Sequence, residues 1–144
     1  MSVERLIANN LRIAREDLEG ARLLAKAGNR NAAYLCEQAA EKIIRAVLTS
    51  EGIQGGIGHA LGQMVNAIPD VNPLKAQLTG LAPLAAYATA YRYPTSARVP
   101  AAPGAKELEE HLTGVDAMLT LLLGRFGVDA TNAAAIATKP QPIR

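Results

Sequence analysis

Aromatic residues are nearly absent from this chain, which has no Trp, one Phe and four Tyr among 144 residues. A core without large rings must be filled by aliphatic side chains, and Ala and Leu dominate the hydrophobic residues here. The β-branched residues that favour strands are comparatively few. This composition favours helices that pack closely against one another.

Cysteine and histidine are also scarce. The single cysteine, Cys36, excludes a disulfide within the chain and fits a reducing compartment. It lies on the apolar side of a predicted helix, where a small buried hydrophobe is the better interpretation than a nucleophile. One such cysteine and two isolated histidines make no recognisable ligand set, so we predict no metal and no cofactor.

No stretch of the chain is apolar over the length that a membrane span or the hydrophobic part of a signal peptide requires. We therefore expect a cytoplasmic protein that makes no membrane contact. The net charge is only +2, and both signs are mixed along the chain. Such a balance permits nucleotide or RNA binding without indicating it.

Apolar residues recur at helical spacing in four long segments. The sequence predicts long helices over residues 2–27, 31–50, 73 to about 92 and 105–126, with a short helix over 59–68. Asn72 is the predicted N-cap of the third long helix. Because Pro83 cannot donate a backbone hydrogen bond, we expect a kink or a restart there. The predicted fold is all-α: an antiparallel up-and-down bundle of four main helices plus a short extra helix.

Glycine and proline mark the predicted breaks. Gly28 offers a C-terminal cap to the first helix, and four glycines in residues 52–58 end the second. Residues 128–144 are rich in Ala, Thr, Asn and Pro, and we predict that they form a flexible tail. The bundle itself is predicted to span residues 1–127.

Charged residues cluster on the second predicted helix. Glu37 lies one turn before Glu41, and Glu41 lies one turn before Arg45, so these side chains can pair. Lys42 adds a further cation on the same helix. Because no histidine accompanies the carboxylates at a metal-binding spacing, ion pairs at the surface or between helices are the favoured interpretation.

The two histidines occupy different settings. His59 follows the glycine-rich loop and begins the predicted short helix, where it either caps the helix or binds a ligand. The glycine-rich loop lacks the Gly-Lys-Ser/Thr ending of a phosphate-binding P-loop. His111 lies in the last predicted helix and is interpreted as a half-exposed helix residue. No GxSxG motif is present, so serine hydrolase chemistry has no support.

The stretch YATAYRYPTS, residues 87–96, contains three of the four tyrosines beside Arg92. Tyr87 and Tyr91 are one helical turn apart, and Pro94 stops a helix just before Tyr93. Tyrosine rings can stack on a base, and a guanidinium can grip a phosphate.

A structural role for the same cluster is equally open. The tyrosines can cover one end of the bundle while Arg92 pairs with an acidic residue of the second helix, such as Glu37 or Glu41. One cluster can also serve both purposes.

The order of three sequence features resembles the HEPN domain family. These features are AKAGNRNAAYLCEQAAEKIIRAVL, the glycine-rich loop followed by His59-Ala-Leu, and Tyr91-Arg92-Tyr93-Pro94. The most specific pieces are CEQAAEK and Arg92-Tyr93-Pro94. The resemblance covers about residues 5–125.

The resemblance implies a four-helix bundle that assembles as a symmetric homodimer and binds a nucleotide or RNA. It also implies a minimal nucleotidyltransferase as partner, in a toxin–antitoxin-like or nucleotide-modifying pair. The candidate nucleotide- or RNA-binding residues are Arg92, Tyr91, Tyr93, Tyr87, His59, Lys42 and Arg45.

The chain departs from the pattern of the HEPN ribonucleases, in which an Arg is followed after four to six residues by a His. Neither Arg92 nor Arg98 has a histidine at that spacing. Lys106 precedes His111 at a matching interval, but lysine lacks the planar fork that grips a phosphate. We therefore predict no catalytic residues. The rival hypotheses are a ribonuclease toxin in which the fold or the second subunit of a dimer brings His59 or His111 to Arg92, and a pure protein-interaction module.

Overall fold

The computed structural model describes residues 2–53, 58–134 and 141–144. Its helices are α1 (Val3–Lys26), α2 (Asn31–Ser50), α3 (Leu61–Asn66), α4 (Lys75–Thr79), a 3₁₀ helix (Ala82–Ala88) and α5 (Ala105–Phe126). Within these described ranges there is no strand. The all-α class is confirmed, and the first, second and last predicted helices agree with the observed ones to within one residue.

The α1–α2 hairpin is defined by local signals at both ends of α1. The Ser2 hydroxyl accepts a hydrogen bond from the Arg5 amide at 3.1 Å, which caps the first turn. At the other end Gly28 has φ +67°, and the Asn29 amide donates to the Leu24 carbonyl at 2.9 Å. This left-handed glycine cap turns the chain back into α2, as the sequence predicts.

Alanines line the seam between α1 and α2. Ala14 and Ala21 on α1, and Ala33 and Ala40 on α2, have no exposed surface. Small side chains at these positions let the two helix backbones approach closely. The core therefore needs few large rings, which explains why the single Phe and four Tyr suffice.

The region of the predicted third long helix contains two shorter helices instead of one continuous helix. α4 ends at Thr79 with Gly80 as its C-cap, and a separate 3₁₀ helix begins at Ala82. Pro83 lies in the first turn of this 3₁₀ helix, where its missing N–H costs no helical bond. Of the two alternatives at Pro83, the restart is therefore the one observed.

Two smaller predictions in this region also need correction. Asn72 is not the N-cap of α4, which begins at Lys75; its side-chain oxygen instead accepts from the Leu74 amide at 2.9 Å in the preceding turn. The short helix predicted over 59–68 is observed only over Leu61–Asn66.

α2 is the central element of the bundle. It packs against α1, α5, α3 and the 3₁₀ helix. Even Glu37 and Glu41 of this helix are buried. The polar side chains of α2 that remain half-buried are those of Tyr34, Gln38, Lys42 and Arg45.

Residues 128–134 and 141–144 are the described parts of the predicted flexible tail, and residues 135–140 lie outside the described chain. Val128 is buried, and its amide donates to the Leu123 carbonyl at 2.9 Å. Arg12 donates to the Asp129 carbonyl at 3.3 Å. Ile143 is buried as well, because the described residues 141–144 return to the bundle.

Candidate functional site

Four residues of α2 share one face of the helix, at intervals of four, three and four residues, and we call them the polar stripe; three are half-buried and Glu41 is buried. They are Tyr34, Gln38, Glu41 and Arg45. At a rise of about 1.5 Å per residue, Tyr34 and Glu41 are separated by about 10 Å along the helix axis. The predicted site residues contact the two ends of this stripe.

The aromatic end of the stripe consists of Tyr34, Arg92 and Tyr93. The guanidinium carbon of Arg92 lies 3.9 Å from the centroid of the Tyr34 ring and 5.3 Å from that of Tyr93. One guanidinium nitrogen, Nη1, donates to the Ala88 carbonyl at 3.2 Å. Arg92 is thus held by a cation–π contact and one backbone bond, while Tyr93 remains 61% exposed.

Tyr87 belongs to the core rather than to a ligand site. Its ring is only 3% exposed, and its hydroxyl donates to Glu107 Oε1 at 2.9 Å. Burial and this hydrogen bond to Glu107 raise the pKa of Tyr87. A ring enclosed in this way cannot stack on a base, so we remove Tyr87 from the candidate binding residues.

Tyr91 extends the same edge-to-face packing. Its ring centroid lies 5.4 Å from that of Tyr87, which in turn lies 5.6 Å from that of His111. Tyr91 is half-buried. Its ring packs against Tyr87 and is only partly exposed to solvent.

The structure does not show the ion pair expected between Arg92 and Glu37 or Glu41. Among the described residues, Arg92 contacts tyrosine rings and a carbonyl and has no carboxylate within ion-pair distance. Glu37 is nevertheless close enough for the Arg92 charge to act on it. Burial, together with the Glu41 charge, raises the pKa of Glu37, and Gln38, Lys42 and Arg92 offset only part of this.

The histidine end of the stripe consists of Glu41, Arg45 and His59. Nδ1 of His59 lies 2.7 Å from Glu41 Oε1, and Arg45 Nη2 lies 3.2 Å from the same ring nitrogen. Arg45 also forms an ion pair with Glu41 at 3.8 Å. A carboxylate only accepts and a guanidinium only donates, so Nδ1 bonds to one of these neighbours at a time: it donates to Glu41 when it carries a proton and accepts from Arg45 when it does not.

His59 does not cap α3. The N-cap of that helix is Ala60, which makes no side-chain capping bond. The His59 side chain is instead 83% exposed beyond its contact with Glu41. The preceding residues 54–57 of the predicted glycine-rich loop lie outside the described part of the chain.

The side chain of Lys42 forms contacts within and between helices. Its ammonium donates to Asp17 Oδ2 of α1 at 3.0 Å and to Gln38 Oε1 at 3.2 Å. Both partners of the Lys42–Asp17 pair are largely buried. This bridge ties α1 to α2 and leaves Lys42 as the least available of the predicted cations.

The tertiary structure thus divides the predicted residues between two ends of one stripe. Arg92 and Tyr93 contact the aromatic end, whereas Arg45 and His59 form the histidine end. Sequence reasoning missed Tyr34, the fourth tyrosine. Its position one turn before Gln38 on the charged face of α2 was the available signal.

Other features of the molecule lie apart from the stripe. A surface groove of about 390 Å³ between α1 and α5 has an apolar floor that includes Leu108 and Leu112, with Arg22 and Glu109 among its polar lining. Cys36 is fully buried, and burial raises its pKa to about 12. No cluster of three or more His, Cys, Asp or Glu in the described ranges could hold a metal ion.

None of the helices in the described residues combines the length and apolar character of a bilayer span.

No curated protein and no solved structure shows significant similarity to the chain. The model of the HEPN domain family, by contrast, matches residues 8–123, which is most of the sequence. The chain therefore belongs to the HEPN family, a membership that points to a nucleotide- or RNA-related function.

Proposed function

We propose that the protein binds a nucleotide or single-stranded RNA along the polar stripe of α2, with Arg92 as the main phosphate contact. The observation that carries this proposal is the arrangement of Arg92 over Tyr34 at 3.9 Å. A guanidinium has five N–H donors, and in the described structure Arg92 uses one nitrogen for the Ala88 carbonyl. The Tyr34 ring holds the guanidinium in place, and its remaining N–H groups are available to a phosphate.

Tyr93 supplies the base-stacking surface beside this fork. Its ring is 61% exposed and lies 5.3 Å from the Arg92 guanidinium. Base–aromatic stacking contributes about 1–3 kcal/mol per base and tolerates any base. The aromatic end therefore favours a ligand with at least one phosphate next to an unpaired base.

The histidine end offers a second contact to a longer ligand. Arg45 and His59 flank Glu41, so their donors partly neutralise a carboxylate that would otherwise repel a phosphate. The ends are about 10 Å apart along α2. A short RNA strand can reach both ends, and this geometry favours it over a mononucleotide.

Binding measurements on matched arginine variants test this assignment. We expect Arg92→Ala to weaken binding of a short fluorescent RNA by about tenfold or more, since hydrogen bonds to charged groups contribute about 1.5–3 kcal/mol. Arg98→Ala is the control, because it removes the same charge from the same exposed loop. Equal effects of the two substitutions would show that Arg92 has no specific role. ATP and GTP titrations then compare nucleotides with RNA.

A ribonuclease is the second candidate, and the Glu41–His59 contact at 2.7 Å favours it. In the tautomer that donates Nδ1–H to Glu41, the ring nitrogen Nε2 can act as a general base. His111, the other histidine considered, packs instead against Tyr87. Cleavage of the bound RNA by the wild type in the presence of a chelator, lost in His59→Gln, supports this activity; intact RNA excludes it for that substrate.

For the assembly, we propose a cytoplasmic homodimer that works with a minimal nucleotidyltransferase in a toxin–antitoxin-like pair. Support comes from membership of the HEPN family and from the single buried cysteine, which fits a reducing compartment. Light scattering on the 15.1 kDa chain distinguishes monomer from dimer. Co-purification with a nucleotidyltransferase encoded beside it tests the partner, and a protein partner without nucleotide or RNA binding favours the interaction-module alternative.

A further inference from the structure

Glu51 occupies an unfavourable position for a carboxylate. It is the C-cap residue of α2, and its side chain is only 3% exposed. The C-terminal end of a helix carries the negative pole of the helix dipole, which disfavours an anion. α2 has no basic residue in its last turn to offset this charge. Glu51 therefore needs a cation from elsewhere in the chain.

Arg144 supplies that cation. Its Nη1 lies 2.8 Å from Glu51 Oε2, and its Nη2 lies 2.9 Å from Oε1. Two parallel bonds between a guanidinium and a carboxylate form the strongest geometry available to an ion pair. These bonds keep the pKa of Glu51 below its ordinary value. The neighbouring Ile143 is 6% exposed, so an apolar anchor accompanies the pair.

Asn72 joins a third segment to the same carboxylate. Its Nδ2 donates to Glu51 Oε2 at 2.9 Å, while its Oδ1 accepts from the Leu74 amide. Asn72 is 2% exposed. The Glu51 carboxylate therefore connects the end of α2, the turn before α4 and residues 141–144.

The chain leaves α2 at this junction on its way to His59. The Gly52 amide donates to the Thr49 carbonyl at 3.0 Å, and the Ile53 amide donates to the Leu48 carbonyl at 2.9 Å. With φ +79° at Gly52, these bonds form a Schellman motif that sets the exit direction of the chain. Because Glu51 directly precedes this turn, contacts that hold Glu51 restrain residues 51–53; residues 54–57, which lie between them and His59, are outside the described part of the chain.

We infer that residues 141–144 form a detachable clasp on Glu51 that stabilises the start of the segment leading to His59, and thereby strengthens ligand binding at the histidine end of the stripe. The ligand part of this inference rests on the proposed nucleotide or RNA binding. The clasp is held by one ion pair and one apolar side chain, and the Arg144 side chain is 47% exposed. Contacts this few open locally without unfolding the bundle.

Amide hydrogen exchange on the free protein tests the clasp without any ligand. We expect Arg144→Glu, which places two anions together, to speed exchange of the Ile53 and Asn72 amides by about tenfold. Ile143→Ser, which removes the apolar anchor and keeps the ion pair, changes the same amides in the same direction. Arg98→Glu is the control, since it makes an equal charge change in an exposed loop. Exchange unchanged from wild type in both clasp variants overturns the clasp.

RNA affinity of the same variants tests the link to the site. We expect Arg144→Glu to weaken RNA binding by about fivefold relative to Arg98→Glu. Faster exchange with unaltered affinity overturns the link, and the proposed function still stands if Arg92→Ala weakens binding. If the wild type binds no RNA or nucleotide, the proposed function and the link both fail, while the exchange data still decide whether the clasp exists.

Discussion

Two buried carboxylates on one helix have different surroundings. Glu41 is contacted by His59 at 2.7 Å and by Arg45 at 3.8 Å, so its charge is balanced on both sides. Glu37 is also buried, but its direct hydrogen bond comes from the neutral amide of Gln38. The burial of Glu37 is therefore poorly compensated, which is the physical reason for its raised pKa.

We expect Glu37→Gln to stabilise the protein at neutral pH. A raised folded-state pKa means that the folded protein binds this proton more tightly than the unfolded chain does, so stability falls as pH rises from about 4.5 through the raised value. The gain in melting temperature from Glu37→Gln should be present at about pH 8 and shrink at about pH 4. Glu110→Gln, at an exposed helix position, is the control. A gain that is equal at both pH values contradicts the assignment.

Cys36 should be unreactive in the folded protein. Its thiol is fully buried with a pKa raised to about 12 by that burial, so the nucleophilic thiolate is scarce. We expect a small alkylating reagent to leave Cys36 unmodified at about pH 8 and to modify it fully in denaturant, as measured by mass spectrometry. Rapid labelling of the native protein would show that the reagent reaches the Cys36 thiol, which contradicts its burial.

At the scale of elements, the α1–α2 hairpin is specified by small residues as much as by its caps. The four alanines between α1 and α2, Ala14, Ala21, Ala33 and Ala40, have no exposed surface. Close backbone approach leaves little space, so a larger residue here must displace a helix. The same closeness positions Lys42 against Asp17 at 3.0 Å.

An enlarged seam residue should destabilise the bundle. We expect Ala40→Leu to lower the free energy of unfolding by about 1–3 kcal/mol through overpacking. Ala117→Leu makes the same chemical change at an exposed position of α5 and should alter stability by no more than about 0.5 kcal/mol. Urea titration of both variants and the wild type measures the difference. Similar changes in the free energy of unfolding for the two variants would mean that the space between α1 and α2 can accommodate a leucine.

At the scale of the whole molecule, the mixed charge pattern limits electrostatic binding. The net charge is +2, and many cations already contact carboxylates, including Arg15, Arg22, Lys42 and Arg144. The proposed RNA contacts are Arg92, which pairs with no carboxylate among the described residues, and Arg45, which pairs with Glu41 at 3.8 Å. Such a protein binds RNA through a few placed donors and rings rather than through a broad basic surface.

This limited charge predicts a shallow salt dependence. Each phosphate neutralised on a single strand contributes a slope of about −0.7 to log K against log salt, so two contacts give about −1.4. Arg92→Ala should reduce the slope to about −0.7. Anisotropy titrations over a series of salt concentrations measure both values. A wild-type slope of about −4 would require a wider basic surface than the stripe provides.

The candidate site was only partly predictable, because its residues are distant in sequence. Arg92 and Tyr93 stood out as a local cluster, and Arg45 and His59 as single residues with several possible roles. Tyr34 lies 58 positions before Arg92 by residue number, and no local pattern joins the two. Tyr87 and Tyr91 look alike one turn apart, yet burial removes Tyr87 from the site and leaves Tyr91 half-exposed.

Features that depend on neighbouring residues could be predicted from the amino-acid order. Apolar spacing, Gly28 and the proline positions specified α1, α2, α5 and the break at Pro83, because caps and helical faces act over one or two turns. The contacts of Arg92 with Tyr34, of His59 with Glu41 and of Arg144 with Glu51 became visible only in the packed fold. Each of these contacts joins segments far apart in the chain, so it depends on how the helices pack rather than on any local sequence signal.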